Sequence, residues 1–123
     1  MKTSMEIKTF LDWMTSCEEE YEQCKQVVET ENKRLQDFLH YIEFEEHSSE
    51  RSKECTRFRI HRHERREAKN RIEILEPLVT MFRDKSFSRY RNQLTQLLGQ
   101  TRKIEKKQTE RKYKPRVERE DIK

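Results

Sequence analysis

The sequence predicts an all-α protein, an elongated antiparallel helical hairpin or a three-helix bundle with coiled-coil character. Three observations support this prediction: apolar residues recur at heptad spacing, Gly occurs once and Pro twice in 123 residues, and 42% of the residues are charged. Apolar residues at heptad spacing form a helix face that packs against another helix. So few Gly and Pro residues argue against many short strands, and Glu, Lys, Arg, Leu and Gln lose little rotamer freedom in a helix.

The first predicted helix covers about residues 5–46 and contains the strongest pattern in the chain. Thr3 and Glu6 have capping-box spacing, which predicts that they close its N-terminus. Its a/d stripe, which we expect to form a core or an interface between helices, consists of Ile7, Phe10, Met14, Tyr21, Val28, Leu35, Phe38 and Ile42, with Cys17 and Cys24 between them. Glu31 interrupts the stripe at a d position, where a polar residue sets the register or the helices splay.

Large apolar residues flank this stripe on both sides. Trp13 and Tyr41 occupy g positions, and Leu11 and Leu39 occupy e positions. An apolar face of this width is typical of a bundle of three or more helices. We expect the later helices to cover it, and an exposed docking or oligomer surface is the alternative.

A turn is predicted at residues 47–52, where the apolar repeat stops and serines offer N-caps. A second helix is expected over about residues 52–84, with a kink or break near Pro77, which removes an intrahelical hydrogen bond. Its apolar face consists of Phe58, Ala68, Ile72, Leu75, Val79 and Phe82. His61 and Arg65 fall at seam positions, so the first half of this face is weak.

A third helix is expected over about residues 87–110, with Ser86 or Ser88 as its N-cap. Its apolar positions are Phe87, Tyr90, Leu94, Leu97 and Ile104, with Thr101 as a weaker member. Residues 1–110 are therefore expected to form one helical bundle domain. Residues 111–123 are polar and contain Pro115, so we expect a flexible basic tail.

The charge of the chain is unevenly distributed. Residues 1–50 contain five Lys or Arg and thirteen Asp or Glu, whereas residues 51–71 contain nine Lys or Arg and three Glu. Two interpretations remain open, which can coexist: the basic segment pairs with the acidic first helix, or it contacts an external ligand. The candidate residues for binding a partner or nucleic acid are Arg57, Arg59, Arg62, Arg65, Arg66, Lys69 and Arg71.

The sequence contains no recognisable catalytic or cofactor motif. One glycine cannot make a phosphate-binding loop, and the carboxylates at residues 18–22 form a solvated run. Cys17 and Cys24 are seven residues apart, about 10 Å along a helix, which is too far to share one zinc ion. His61 and His63 point to different sides of a helix. We therefore predict a non-enzymatic protein with no cofactor and no metal, and with reduced cysteines.

The leading functional hypothesis is a protein–protein interaction module, an adaptor, regulator or inhibitor that presents a charged helical surface to a macromolecule. One alternative is a nucleic-acid-binding protein that uses residues 51–71 and the basic tail. The other is a structural oligomer or scaffold, for example a homodimer. Since no apolar run reaches about 20 residues and the N-terminus lacks a signal peptide's apolar core, we expect no membrane partner and a cytoplasmic location.

Overall fold

The computed structural model describes residues 2–111, which form three helices and no strand. These are α1 at Thr3–Phe44, α2 at Ser48–Arg83 and α3 at Lys85–Glu110. The predicted all-α fold with three packed helices is confirmed. At 1.5 Å per residue, the 42 residues of α1 make a rod about 63 Å long, so this part of the molecule is elongated. None of these helices is long and apolar enough to cross a bilayer.

The helix ends differ from the predicted ones. The capping box is wrong: Lys2 is the N-cap of α1, and its side chain makes no capping hydrogen bond. The turn before α2 is shorter than predicted and covers residues 45–47, where the carboxylate of Glu45 accepts a hydrogen bond of 2.9 Å from the His47 N–H. Neither predicted serine caps α3; its N-cap is Asp84, which accepts from the Ser86 N–H. The predicted tail, apart from its first residue, lies outside the described residues.

A kink or break was expected near Pro77; the break is wrong, because α2 continues through this residue to Arg83. The neighbouring residues Leu75 and Val79 are almost fully buried, so their packing offsets the hydrogen bond that proline removes. The chain leaves helical geometry instead at Asp84, whose backbone is extended with φ −64° and ψ 140°.

α2 runs antiparallel to α1. Phe58, near the start of α2, stacks on Phe38 near the end of α1, with ring centroids 4.0 Å apart. Phe82, at the other end of α2, meets Trp13 near the start of α1, with centroids 5.6 Å apart. α2 therefore covers α1 from its C-terminal end as far as Trp13.

α3 continues in the same direction along the remaining part of α1. Arg91 donates a hydrogen bond of 3.1 Å to the Thr15 hydroxyl, and the Ser4 N–H donates one of 3.2 Å to Glu105. Since higher numbers in α3 meet lower numbers in α1, α3 is also antiparallel to α1. The three helices therefore meet side by side only around the joint between α2 and α3.

The apolar core lies at this joint. Its buried cluster consists of Met14, Cys17, Tyr21, Leu75, Val79 and Phe82, and partly buried Leu11, Ile72, Leu78, Phe87 and Leu94 pack against it. The predicted stripe of α1 is thus buried at Met14 and Tyr21. Outside the joint, where α1 has only one neighbouring helix, the stripe is half-buried, at Ile7, Val28, Leu35, Phe38 and Ile42. Phe10 is exposed, so its assignment to the core is wrong.

The apolar face predicted for α3 is only partly correct. The inward positions are Phe87, Arg91, Leu94, Leu98, Thr101 and Glu105, which also follow heptad spacing. Tyr90, Leu97 and Ile104 are exposed instead. Arg91 and Glu105 are polar, yet they occupy seam positions because they bond to α1. The face of α3 that points toward α1 is therefore rotated away from its most apolar face.

We expect Met14→Ala to lower the free energy of unfolding by about 3 kcal/mol, because Met14 is fully buried and its removal leaves a cavity. Leu39→Ala is the control, since Leu39 is exposed on the same helix. It should change stability by no more than about 0.5 kcal/mol. Chemical denaturation followed by circular dichroism measures both. Equal losses in the two variants would contradict this position of the core.

Candidate functional site

Two residues of the basic segment, Arg65 and Arg71, form hydrogen bonds to α1 across the surface of the seam. The guanidinium of Arg71 donates to both carboxylate oxygens of Glu20, at 2.6 and 3.1 Å, and Arg65 donates to the Asn32 side chain at 2.9 Å. The hydrogen bond from Arg71 holds the pKa of Glu20 below its ordinary value. For these residues, the structure supports pairing with the acidic first helix rather than an external ligand.

Two further residues of the segment interact within α2. Arg57 lies 3.5 Å from the carboxylate of Glu54, one turn earlier. The guanidinium carbon of Arg62 lies 5.7 Å from the ring centroid of Phe58, a cation–π contact. Neither residue bonds to α1. Arg57 is exposed, whereas Arg62 is half-buried and its Nη1 atom is buried without a hydrogen-bond partner among residues 2–111.

Arg59, Arg66 and Lys69 are exposed and make no hydrogen bond or ion pair with residues 2–111. Together with Arg62 they form what we call the basic stripe, at spacings of three, four and three. This spacing places the four side chains along one flank of α2, where Arg66 and Lys69 line a groove together with Val28 of α1. The stripe is about 15 Å long at the rise of an α-helix. It can therefore meet acidic groups outside the chain.

A second exposed surface lies where α1 and α3 pair. We call it the open face, and it consists of Phe10, Trp13, Tyr90, Leu97 and Ile104, exposed by 44, 45, 60, 48 and 56%. Phe10 and Trp13 stack with ring centroids 6.0 Å apart. The expectation that the later helices cover Trp13 completely is therefore wrong, although its ring packs against Phe82 in an edge contact.

Helix geometry places these five residues on one side of the α1–α3 seam. The bond between Arg91 and Thr15 marks one flank. At about 100° per residue, Tyr90, Leu97 and Ile104 lie about 100–140° around α3 from that flank. Phe10 lies about 140° around α1 from Thr15, toward the side that α2 covers farther along. Because α1 and α3 are antiparallel, the apolar residues of α1 and those of α3 lie on the same flank of the seam, opposite the bond between Arg91 and Thr15.

The open face has no third helix because α2 ends too early. Phe82, in the last turn of α2, reaches Trp13, and the chain then passes into α3 through Asp84. Nearer the start of α1, only α3 packs on it within residues 2–111. The open face is therefore the position that a third helix would occupy if the bundle continued.

α3, which borders the open face on one side, is basic overall. α3 contains seven Lys or Arg residues and two Glu residues. Glu105 is engaged by Ser4, whose hydroxyl and N–H hold the pKa of that carboxyl below its ordinary value. Glu110 is the last residue of the helix. Arg91 is paired with Glu18, and Arg102 and Lys106 line a groove with Ser4. The remaining Lys and Arg residues of α3 leave this helix with a positive charge that attracts negative groups.

A polar group interrupts the seam between α1 and α2. Glu31 is buried, and it accepts hydrogen bonds of 3.1 and 3.3 Å from Arg34. His61 Nδ1 lies 3.4 Å from Glu31 and 3.4 Å from Glu64. The structure thus brings His61 to two carboxylates that the sequence did not connect with it.

The chain matches no protein-family model, no curated protein and no solved structure. Its candidate sites therefore rest on the geometry alone. Sequence reasoning missed the inward roles of Arg91 and Glu105 and the burial of Leu98. The heptad spacing of residues 87, 91, 94, 98, 101 and 105 was the signal that could have identified them.

We expect thiol reagents to label Cys55 more than tenfold faster than Cys17 or Cys24. Cys55 is exposed, whereas burial raises the pKa of the Cys17 and Cys24 thiols and so lowers their thiolate fraction. A colorimetric disulfide-exchange assay on the native protein measures these rates, with Cys55 expected to give a fast phase and the other two cysteines a slow one. Cys55→Ser should remove the fast phase, and a fast phase that remains would contradict this assignment.

We expect Glu105→Gln to lower Tm at pH 7 and to lose this effect in acid. The pKa of Glu105 is below its ordinary value of 4.5 in the folded chain, so its contribution is present above that value. It disappears as pH falls through the folded pKa, and the Tm curves of the two proteins should converge. Glu110→Gln, in the same helix, is the control. A Tm difference that persists at low pH would contradict the role of this carboxylate.

Proposed function

We propose that this chain is a non-enzymatic protein-binding module, an adaptor, regulator or inhibitor, that receives an acidic amphipathic helix of a partner on its open face. The observation that carries this proposal is the exposure of five large apolar side chains at the position of a missing bundle helix. Contiguous apolar patches on soluble proteins commonly mark interaction sites. Trp and Tyr are also enriched among the residues that contribute most to binding.

The dimensions of the open face suit a helix. From Tyr90 to Ile104 it extends about 21 Å, the length of a helix of about 14 residues. A partner helix with apolar residues at i, i+3, i+4 and i+7 would lie in the angle between α1 and α3. Binding would then complete a three-helix bundle that residues 2–111 form only near Met14.

The charge around the open face selects an acidic partner. Seven Lys or Arg residues lie on α3, and of these Arg91 is paired with Glu18. Complementary charge speeds association and suppresses wrong partners, while the buried aromatic contacts supply most of the affinity. An acidic border on the partner helix is therefore part of the proposal.

A second candidate function, nucleic-acid binding, is favoured by one observation. Arg59, Arg66 and Lys69 on the basic stripe have no partner among residues 2–111, and phosphates are suitable acceptors for them. The candidate requires the basic stripe and does not require the open face. Separate variants of the two surfaces can therefore distinguish the two functions.

The test compares affinity capture from cells that naturally contain the chain. The variant Tyr90→Glu with Leu97→Glu places charge in the open face and should reduce recovery of the partner protein more than tenfold. The matched control Leu39→Glu with Ile60→Glu changes exposed apolar residues elsewhere and should retain the partner. Direct binding of the purified pair then gives Kd. Unchanged capture by the open-face variant would contradict the proposal.

Two further measurements test the alternatives, nucleic-acid binding and self-association. Charge reversal at Arg59, Arg66 and Lys69 is compared with reversal at Arg65 and Arg71, which bind α1 and should instead reduce stability. Salt-dependent binding of labelled nucleic acid that only the basic-stripe reversal removes would favour the second candidate. Light scattering that shows a dimer dissociated by the open-face variant would mean that a second copy occupies the face.

A further inference from the structure

Three side chains that can ligate a metal converge between α1 and α2. Glu31 comes from α1, and His61 and Glu64 come from successive turns of α2. One ligand atom from each lies within 4.8 Å of the other two. His61 Nδ1 is 3.4 Å from Glu31 Oε1 and 3.4 Å from Glu64 Oε2. The seam thus places one nitrogen and two oxygens around a common point.

We propose that Glu31, His61 and Glu64 bind one Zn²⁺ ion that ties α1 to α2. A tetrahedral ion with bonds of about 2.0–2.1 Å holds its ligand atoms about 3.4 Å apart, which matches both His61 distances. Imidazole nitrogen and carboxylate oxygen are common zinc ligands, and water completes the fourth position. Glu64 is 54% exposed, so an ion can enter from solvent.

The surroundings of His61 support a cation at this point. Its Nδ1 atom is buried and makes no hydrogen bond to any residue of the described range 2–111, although it faces two carboxylates. A buried polar atom without a partner costs free energy. A metal ion would use its lone pair and would also compensate the charge of buried Glu31.

Arg34 is the cation that already contacts this group. Its Nε atom donates to both oxygens of Glu31, at 3.3 and 3.1 Å. Each carboxylate oxygen has a second lone pair, so Oε1 can accept from Arg34 and still ligate the ion. Arg34 would then orient Glu31 in the way that outer hydrogen bonds commonly orient metal ligands.

The proposed ion lies where apolar packing is weakest. Along α1 after Tyr21, Glu31 is the one buried residue, and along α2 before Leu75 it is Ala68. The core cluster stabilises only the joint with α3. An ion bound by Glu31, His61 and Glu64 would fasten the distant arm of the hairpin, independently of what binds the open face.

The test is titration of the full chain with Zn²⁺, and with Co²⁺ as a spectroscopic probe, at neutral pH. A free Zn²⁺ concentration one hundred times Kd should raise Tm by about 5 °C or more. Bound Co²⁺ should show the visible absorption of a tetrahedral site. His61→Gln should weaken binding at least tenfold, whereas His63→Gln, two residues away and exposed, should bind as the native chain does. Glu64→Gln changes an exposed ligand, so it should fold normally and also bind more weakly.

Four outcomes would overturn the proposal. The first is no Tm change and no cobalt spectrum with the native chain. The second is equal weakening by His61→Gln and His63→Gln, and the third is unchanged binding by Glu64→Gln. The fourth is a strong sulfur-to-cobalt charge-transfer band, which would place the ion on a cysteine such as Cys55 instead.

Discussion

The burial of Met14 between Leu75 and Phe82 is the contact on which the rest of the structure depends. It fixes where α2 crosses α1, and Phe82 lies in the last turn of α2. Because α2 ends there, α3 must cover the beginning of α1 alone. The open face follows from this geometry, since one helix cannot cover both sides of an apolar face as wide as that of α1.

Polar contacts set the register on either side of this core. The bonds from Arg71 to Glu20 and from Ser4 to Glu105 each join helices far apart in sequence. The Arg71 bond is exposed and contributes little stability, whereas Ser4 is buried and its bond to Glu105 is partly shielded from solvent. Both bonds select one alignment of the seams. The Ser4 bond also places a carboxylate at the start of α1, where the helix dipole favours negative charge. Glu105 thus performs the capping that the sequence near Thr3 predicted locally.

Much of the fold was predictable, because it depends on local periodicity. The heptad stripe of α1 and the apolar positions of α2 identified three packed helices and the residues Met14, Tyr21, Leu75 and Phe82 of the core. The inward face of α3 was not predictable from the sequence. Apolarity favours Tyr90 and Leu97 as inward residues, whereas the bond of Arg91 to α1 selects a different face of the helix. The same limit applies to the basic segment. Its composition does not show that Arg71 bonds to α1 and that Arg66 does not, because this difference depends on the orientation of α2.

The direction of α3 is the central claim, since the open face exists only if α3 continues along α1. The most direct measurement is the distance between spin labels in a cysteine-free variant, with one label at Lys106 and the other at Lys8 or at His63. We expect the Lys8 pair to lie within about 25 Å and the His63 pair to be about 45 Å apart, from the helical rise. A short distance between Lys106 and His63, with a long one to Lys8, would show α3 folded back along α2 and would contradict this structure.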